Sequence, residues 1–342
     1  MKPIFYIALA IVIILLAVPS TLVLIYSGSD EQPRPASAIR KSAAPRTSHT
    51  TQKPVMHINF SIKVFRVETG KIESVPLEDY VSGVVSGEMP AEFEMEALKA
   101  QALAARTYIA LRLAKKDFSD VPKGAHVTDT VKHQVYIDEK QKRERWGSSY
   151  TWKEARIRQA VEETSGQVLT YQNEPINATF FATSNGYTEN SEDYWGYKLP
   201  YLRSVKVPWD ANAPRYQETV TMSIDQLEKR LKVKIAQPVA AGNDSWNKTI
   251  SRTAGQRIKE IKIGDKVFTG RQVRELLGLN SSHFSLSIKG QNVVIRTFGY
   301  GHGVGMSQWG ANGMAKEGKT VEEIVKYFYK GVNIENGEKW IK

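Results

Sequence analysis

The chain of 342 residues contains no cysteine. Disulfides, thiolate metal sites, iron–sulfur clusters and cysteine nucleophiles are excluded with it. Histidine is scarce, with six residues scattered and none in the paired spacing of a metal site. No arginine-rich tract or finger-like spacing accompanies the positive charge. The surplus of +11 is uneven: residues 1–54 account for +4 and residues 55–342 for +7. A bias that mild makes nucleic acid a weak reading and leaves an anionic polymer or a membrane surface equally open.

Charge is missing altogether from Pro3 to Tyr26, a run of 24 residues. As a helix it would reach about 36 Å, enough to cross a hydrocarbon core of about 30 Å. The apolar stretch continues past Pro19 and Ser20 to Leu24-Ile25-Tyr26, longer than a cleaved signal would need. Residues 1–26 therefore read as an uncleaved transmembrane anchor. The basic residues Arg34, Arg40, Lys41 and Arg46 oppose an outward orientation. A very short N-terminal side before a large domain still favours an extracytoplasmic body. Residues 27–56 read as a flexible tether rich in Pro and Ser, with few large side chains to bury.

The body, 57–342, is expected to be one α+β catalytic domain with a possible inserted subdomain at 211–295. Ile58, Phe60, Ile62 and Val64 alternate as in a half-buried strand, and Gly70 marks a turn. A short helix is predicted over 77–85, ended by Gly87 and Pro90. The strongest helical period runs from Glu94 to Lys115, with Lys99, Gln101 and Arg106 on its polar side. A third helix spans 152–164, and Gly166 suits its C-terminal cap. Strands follow at 167–171 and 176–183. Ser223…Gln226 and Thr320…Glu323 have the spacing of capping boxes. A hairpin is expected around Gly264-Asp265.

Several stretches could carry chemistry. In Val84-Val85-Ser86-Gly87-Glu88-Met89-Pro90 a lone carboxylate stands among apolar neighbours. Such surroundings penalise the charged form, so Glu88 could stay protonated near neutrality and cleave an acetal. The plainer reading is a surface Glu in a turn. Lys99, Gln101 and Arg106 could equally form an ordinary solvated face. Phe298-Gly299-Tyr300-Gly301-His302-Gly303-Val304-Gly305-Met306-Ser307-Gln308 has four alternate glycines, which let backbone approach a ligand or another chain. There His302 and Gln308 could bond sugar hydroxyls or acetamides. No Gly-Lys-Ser/Thr lies in that stretch, so it is not a phosphate loop. Ser184, in a polar loop after a strand, has no Lys or His nearby in sequence to activate it as a nucleophile.

Taken together, Ser86-Gly87-Glu88-Met89-Pro90, Glu96–Ala102 running to Arg106-Thr107-Tyr108, Ser184–Glu189 and Gly301–Gln308 resemble the stage II sporulation protein D family. The likeness covers roughly 60–342 and the anchor. It implies a lytic transglycosylase that cuts peptidoglycan glycan strands lacking stem peptides, and the absence of cysteine and of paired histidines makes a metal-independent activity without cofactor the expectation. It implies Glu88 as the catalytic residue. It also implies glycan contacts from the stretches holding Lys99, Gln101, Arg106, Ser184, Tyr201, His302 and Gln308. The implied partners are the sporulation amidase (stage II sporulation protein P) and the membrane protein (stage II sporulation protein M), acting during engulfment of the forespore. Where some relatives carry Cys and His that could bind zinc, this chain has Phe180, Phe181, Ser184 and Asn185. A hydrolytic glycosidase would need a second carboxylate, which Glu189, Glu192 or Asp193 could supply if their loop folds toward Glu88. The rival class is a non-catalytic glycan binder that stimulates a partner amidase.

Overall fold

The apolar helix expected from Glu94 to Lys115 becomes the central pillar of the body. In a computed structural model of the protein, which describes residues 58–235 and 246–342, this helix runs from Met95 to Lys115 and ends on Lys116 in the left-handed region. Its many alanines leave little side-chain bulk, so neighbours pack on nearly every side. Around it stand the helices Leu77–Glu88, Tyr150–Glu162, Gln308–Lys316 and Val321–Phe328, and the strand Gln167–Tyr171. The polar side expected for it is largely enclosed: Gln101 and Arg106 are both fully buried. A helix surrounded in this way is the interior of a core rather than a surface helix.

The anchor 1–26 and the whole of the tether 27–56 lie outside the described residues. Among the described residues no helix is long and apolar enough to cross a membrane. The architecture is α+β. Ser61–Arg66 pairs antiparallel with Lys71–Pro76 through a turn holding Gly70 at φ +68°, and Val127–Thr128 joins it in parallel. Gln167–Tyr171 turns back through Gln172 and Asn173, both with positive φ, into a two-residue strand, Glu174–Pro175. The strand expected over 176–183 is therefore split. Only Phe180–Phe181 is extended, and its partner is Met306–Ser307, in parallel. The first helix also differs, continuing through Gly87 to Glu88.

A second hydrophobic core is built from residues between Met222 and Ile295. One sheet orders Phe284–Lys289, Asn292–Phe298 and Gln217–Ser223; another orders Lys266–Thr269, Ile258–Ile263 and Asn247–Arg252. Two amphipathic helices, Ile224–Leu231 and Gly270–Leu277, pack against each other over them. Each opens on a capping box, Ser223 with Gln226 and Thr269 with Gln272, which satisfies two backbone donors reciprocally.

Candidate active site

Glu88 is the last residue of the helix Leu77–Glu88, after which Met89 turns the chain into extended backbone. Gly83 and Gly87 lie four apart on one helix face, against the extended segment 134–137. A Cβ on Gly83 would meet the Tyr136 ring at 2.3 Å, and one on Gly87 would meet the Val135 carbonyl at 2.5 Å. Their lack of a side chain brings that segment onto the helix, where Ile137 N–H donates to the Gly83 carbonyl (3.3 Å). The Val135 N–H then donates to Glu88 Oε1 at 2.8 Å.

A second influence comes from 220 residues away. Gln308 opens the helix Gln308–Lys316, and its side chain stands close enough to the Glu88 carboxylate to hold it down. Its amide nitrogen donates to Gln101 Oε1 at 3.4 Å, on the central helix. The loop after Glu88 is pinned to the same helix. Phe93 meets the Trp309 ring edge-on at 4.9 Å, and Glu94 N–H donates to Asn312 Oδ1 at 2.8 Å. Glu88 is half-buried among fully enclosed valines. Desolvation pushes its carboxyl above the usual range, only partly offset by Val135 and Gln308. A carboxyl that holds its proton longer than usual, on neutral partners, is equipped to donate it.

The structure brings Glu88, Gln101 and Gln308 together and distributes the other expected residues elsewhere. Arg106 is not available to a glycan. Its guanidinium is fully buried, forked onto Glu78 at 2.5–3.2 Å and donating to the Gln167 and Val161 carbonyls. It joins two helices to a strand. Lys99 is paired with Glu96 at 2.7 Å and with Glu163, so the cations expected on one face are both neutralised. His302 uses both ring nitrogens internally, accepting from Val304 N–H at 3.0 Å and bonding the Phe180 backbone. It lies among Phe181, Tyr194 and Trp195, and burial, with Arg274 and Arg257 nearby, pushes it down to about 3. It is a neutral packing residue. Ser184 is fully buried, with its N–H on Asp210 and its hydroxyl accepting from Gly186 N–H. Tyr201 lines a cleft of about 360 Å³ with Tyr171, Tyr197 and Leu111. That cleft reaches Ala114, about 20 Å along the central helix from Gln101.

The glycine-rich stretch also differs from its expected use. Gly299, Gly301, Gly303 and Gly305 all have positive φ and approach this chain's own atoms: the backbone of Ser184, Phe181, the Arg257 guanidinium and the Thr179 carbonyl. The fourth contact would put a Cβ at 2.0 Å from that carbonyl. Neither Glu189, Glu192 nor Asp193 is among the groups acting on Glu88. Glu189 is buried against Arg257 at 3.4 Å, and Glu192 is held by Arg203, which keeps its carboxyl down at about 2. One participant escaped the sequence reading: Val135 acts through its backbone and leaves no side-chain signal.

Comparison with known proteins follows the same lines. The family model described as Stage II sporulation protein matches residues 66–171. Along its whole length the chain is 42% identical to Stage II sporulation protein D of Bacillus amyloliquefaciens, covering 98% of that protein. It is also 42% identical to Stage II sporulation protein D of Bacillus subtilis (strain 168), over 96% of this chain and 94% of that one. A more distant relative, the Amidase enhancer of Bacillus subtilis (strain 168), is 30% identical over 74% of this chain and 40% of its own length.

Proposed function

The chain belongs to the stage II sporulation protein D family and serves sporulation, and from that premise we propose that it is a peptidoglycan lytic transglycosylase. Its substrate would be glycan strands already stripped of stem peptides. The observation that carries this reading is the Glu88 carboxyl: desolvated, held by two neutral groups, and with no second carboxylate among the described residues acting on it.

Glu88 protonates the oxygen linking N-acetylmuramic acid to N-acetylglucosamine as that bond breaks. Left as a carboxylate, it takes the proton from the muramoyl C6 hydroxyl. That oxygen closes onto C1 as a 1,6-anhydro ring, and the proton returns Glu88 to its starting state. Water is not consumed, so the second carboxylate of a hydrolytic site is not required. Val135 and Gln308 stabilise the ionised intermediate state, while burial favours the protonated resting state. Opposed effects of this kind suit one group to both halves of the reaction.

In this reading residues 1–26 anchor the chain and the body works outside the cell membrane, beside the amidase (stage II sporulation protein P) and the membrane protein (stage II sporulation protein M) during engulfment. Removing 1–26 should then leave activity on isolated glycan and abolish correct placement in the cell. The likeness to an amidase enhancer favours one other reading, a glycan binder that stimulates a partner amidase without cutting. Incubating the purified chain with peptide-free strands, followed by mass analysis of the ends, separates them. Anhydromuramoyl ends support the transglycosylase, reducing ends a hydrolase, and intact strands the binder.

A further inference from the structure

Asp210 is a fully buried carboxylate that the reaction above does not use. Its Oδ2 accepts from Ser184 N–H and from the Ser307 hydroxyl, both at 2.6 Å, while Oδ1 has no partner among the described residues. Ser307 is the N-cap of the helix Gln308–Lys316. With its proton committed to Asp210, its lone pairs face the helix and accept from Gly310 N–H at 3.3 Å. The next residue is Gln308, which holds the Glu88 carboxyl down.

The turn that carries Asp210 is itself clamped against this helix. A Cβ on Gly310 would lie 2.4 Å from Val207, and one on Gly313 would lie 2.2 Å from Trp209. The two glycines therefore let residues 207–209 press onto the helix and hold Asp210 behind Ser307. We propose that Asp210 is a positioning residue: through Ser307 it fixes the start of the helix, and so holds the Gln308 amide on the Glu88 carboxylate. The charged group acting on Asp210 is Arg257, and burial is the larger influence, raising its carboxyl to about 6. A carboxylate kept in so dry a place binds its two donors tightly. The inference rests on Glu88 being the acid, but its first readout does not require turnover.

The test follows the Glu88 carboxyl directly, by ¹³C NMR of the full chain labelled on glutamate, with the resonance assigned by its loss in Glu88→Gln. Gln308 holds the Glu88 carboxyl down, so releasing it moves the midpoint up. Asp210→Ala and Ser307→Ala are each expected to raise that midpoint by about 0.5 pH units. On glycan strands they should lower kcat about tenfold or more, with KM little changed. The double variant should lose no more than either single one, since both act on one path. Asp210→Asn keeps an acceptor oxygen for both donors and should recover most of the loss. Ser307→Ala leaves the Ser184 N–H satisfied, so it carries the test if Asp210→Ala does not fold. An unmoved Glu88 midpoint in a folded variant overturns the proposal, as does an effect confined to KM. If the wild-type chain forms no anhydro ends, it is the transglycosylase reading that fails, and the titration still decides this one.

Discussion

Two glutamates in this molecule share one physical condition and opposite surroundings. Glu88 and Glu189 are both pushed above the ordinary carboxylate range by burial. Glu189 is 2% exposed and faces the Arg257 guanidinium, with Thr253 donating a further hydrogen bond. Glu88 is half-buried and, among the described residues, is acted on by the neutral Val135 and Gln308. A counter-ion fixes the charge state of a carboxylate, whereas neutral donors and dry walls leave it poised between two. Desolvation alone thus does not decide how a buried carboxylate behaves; the identity of the partner does. Glu189 with Arg257 ties the polar loop near residue 189 to the second core, and Gly303 lies flat so that the guanidinium can fit.

The sharpest test of that contrast is Glu88→Gln. Gln keeps the volume and an acceptor oxygen but cannot move a proton, so release of anhydromuramoyl products should fall at least about a hundredfold. A glycan pull-down should stay near wild type, and a cooperative melt should show the variant folded. Arg257→Met should act on the other limb. Leaving Glu189 buried without its cation is expected to cost roughly 3–5 kcal/mol of stability, seen as a lowered denaturation midpoint, with turnover per folded molecule intact. Were Glu189→Gln, while folded, as inactive as Glu88→Gln, the two sites would not differ as described.

Gly87→Ala sits between these extremes. Its Cβ would push against the Val135 carbonyl, costing about 1–3 kcal/mol as overpacking. Because the same peptide segment carries the donor to Glu88, turnover should drop as well, on the order of tenfold. A smaller effect concerns pH. The folded-state pKa of Glu88 lies above its unfolded value, so the ionised group opposes folding. That penalty is absent below the unfolded pKa and grows as pH rises through the folded one. Glu88→Gln should therefore melt higher than wild type at neutral pH, with the difference shrinking to nothing in acid. The least effect is expected from chelation. No group of three potential ligands is gathered among the described residues, so exhaustive treatment with a chelator should leave the rate unchanged, and recovery on adding zinc would contradict this.

Local signals carried much of the architecture. The long helix begins one residue after Glu94 and ends at Lys115, as its period predicts. The capping boxes at Ser223 and Thr320 open helices, and the hairpin turns on Gly264. A box of the same kind at Thr269…Gln272, and Asp138 with Gln141, were equally legible and open helices that the period did not reveal. What the sequence concealed was non-local. Gly87 looks like a helix stop, and only the arrival of residues 134–137 shows that it is there for close approach. Arg106 looks like a binding cation because its partner Glu78 stands 28 residues earlier, on another helix. Glu88 was legible as a candidate because its apolar neighbours are adjacent in sequence. Gln308 was legible only as a polar residue after glycines, since its reach to Glu88 exists in three dimensions alone.

That reach also sets an order of events in the making of the protein. A ribosome releases Glu88 early, Val135 later and Gln308 near the end, with the helix Val321–Phe328 and the strand Asn333–Asn336 still to dock on the same core. Until those last segments arrive, Glu88 has no amide from Gln308 and no wall behind its loop. Domains condense as units once their distant parts can meet. A nascent or prematurely ended chain would thus hold Glu88 in water as an ordinary carboxylate.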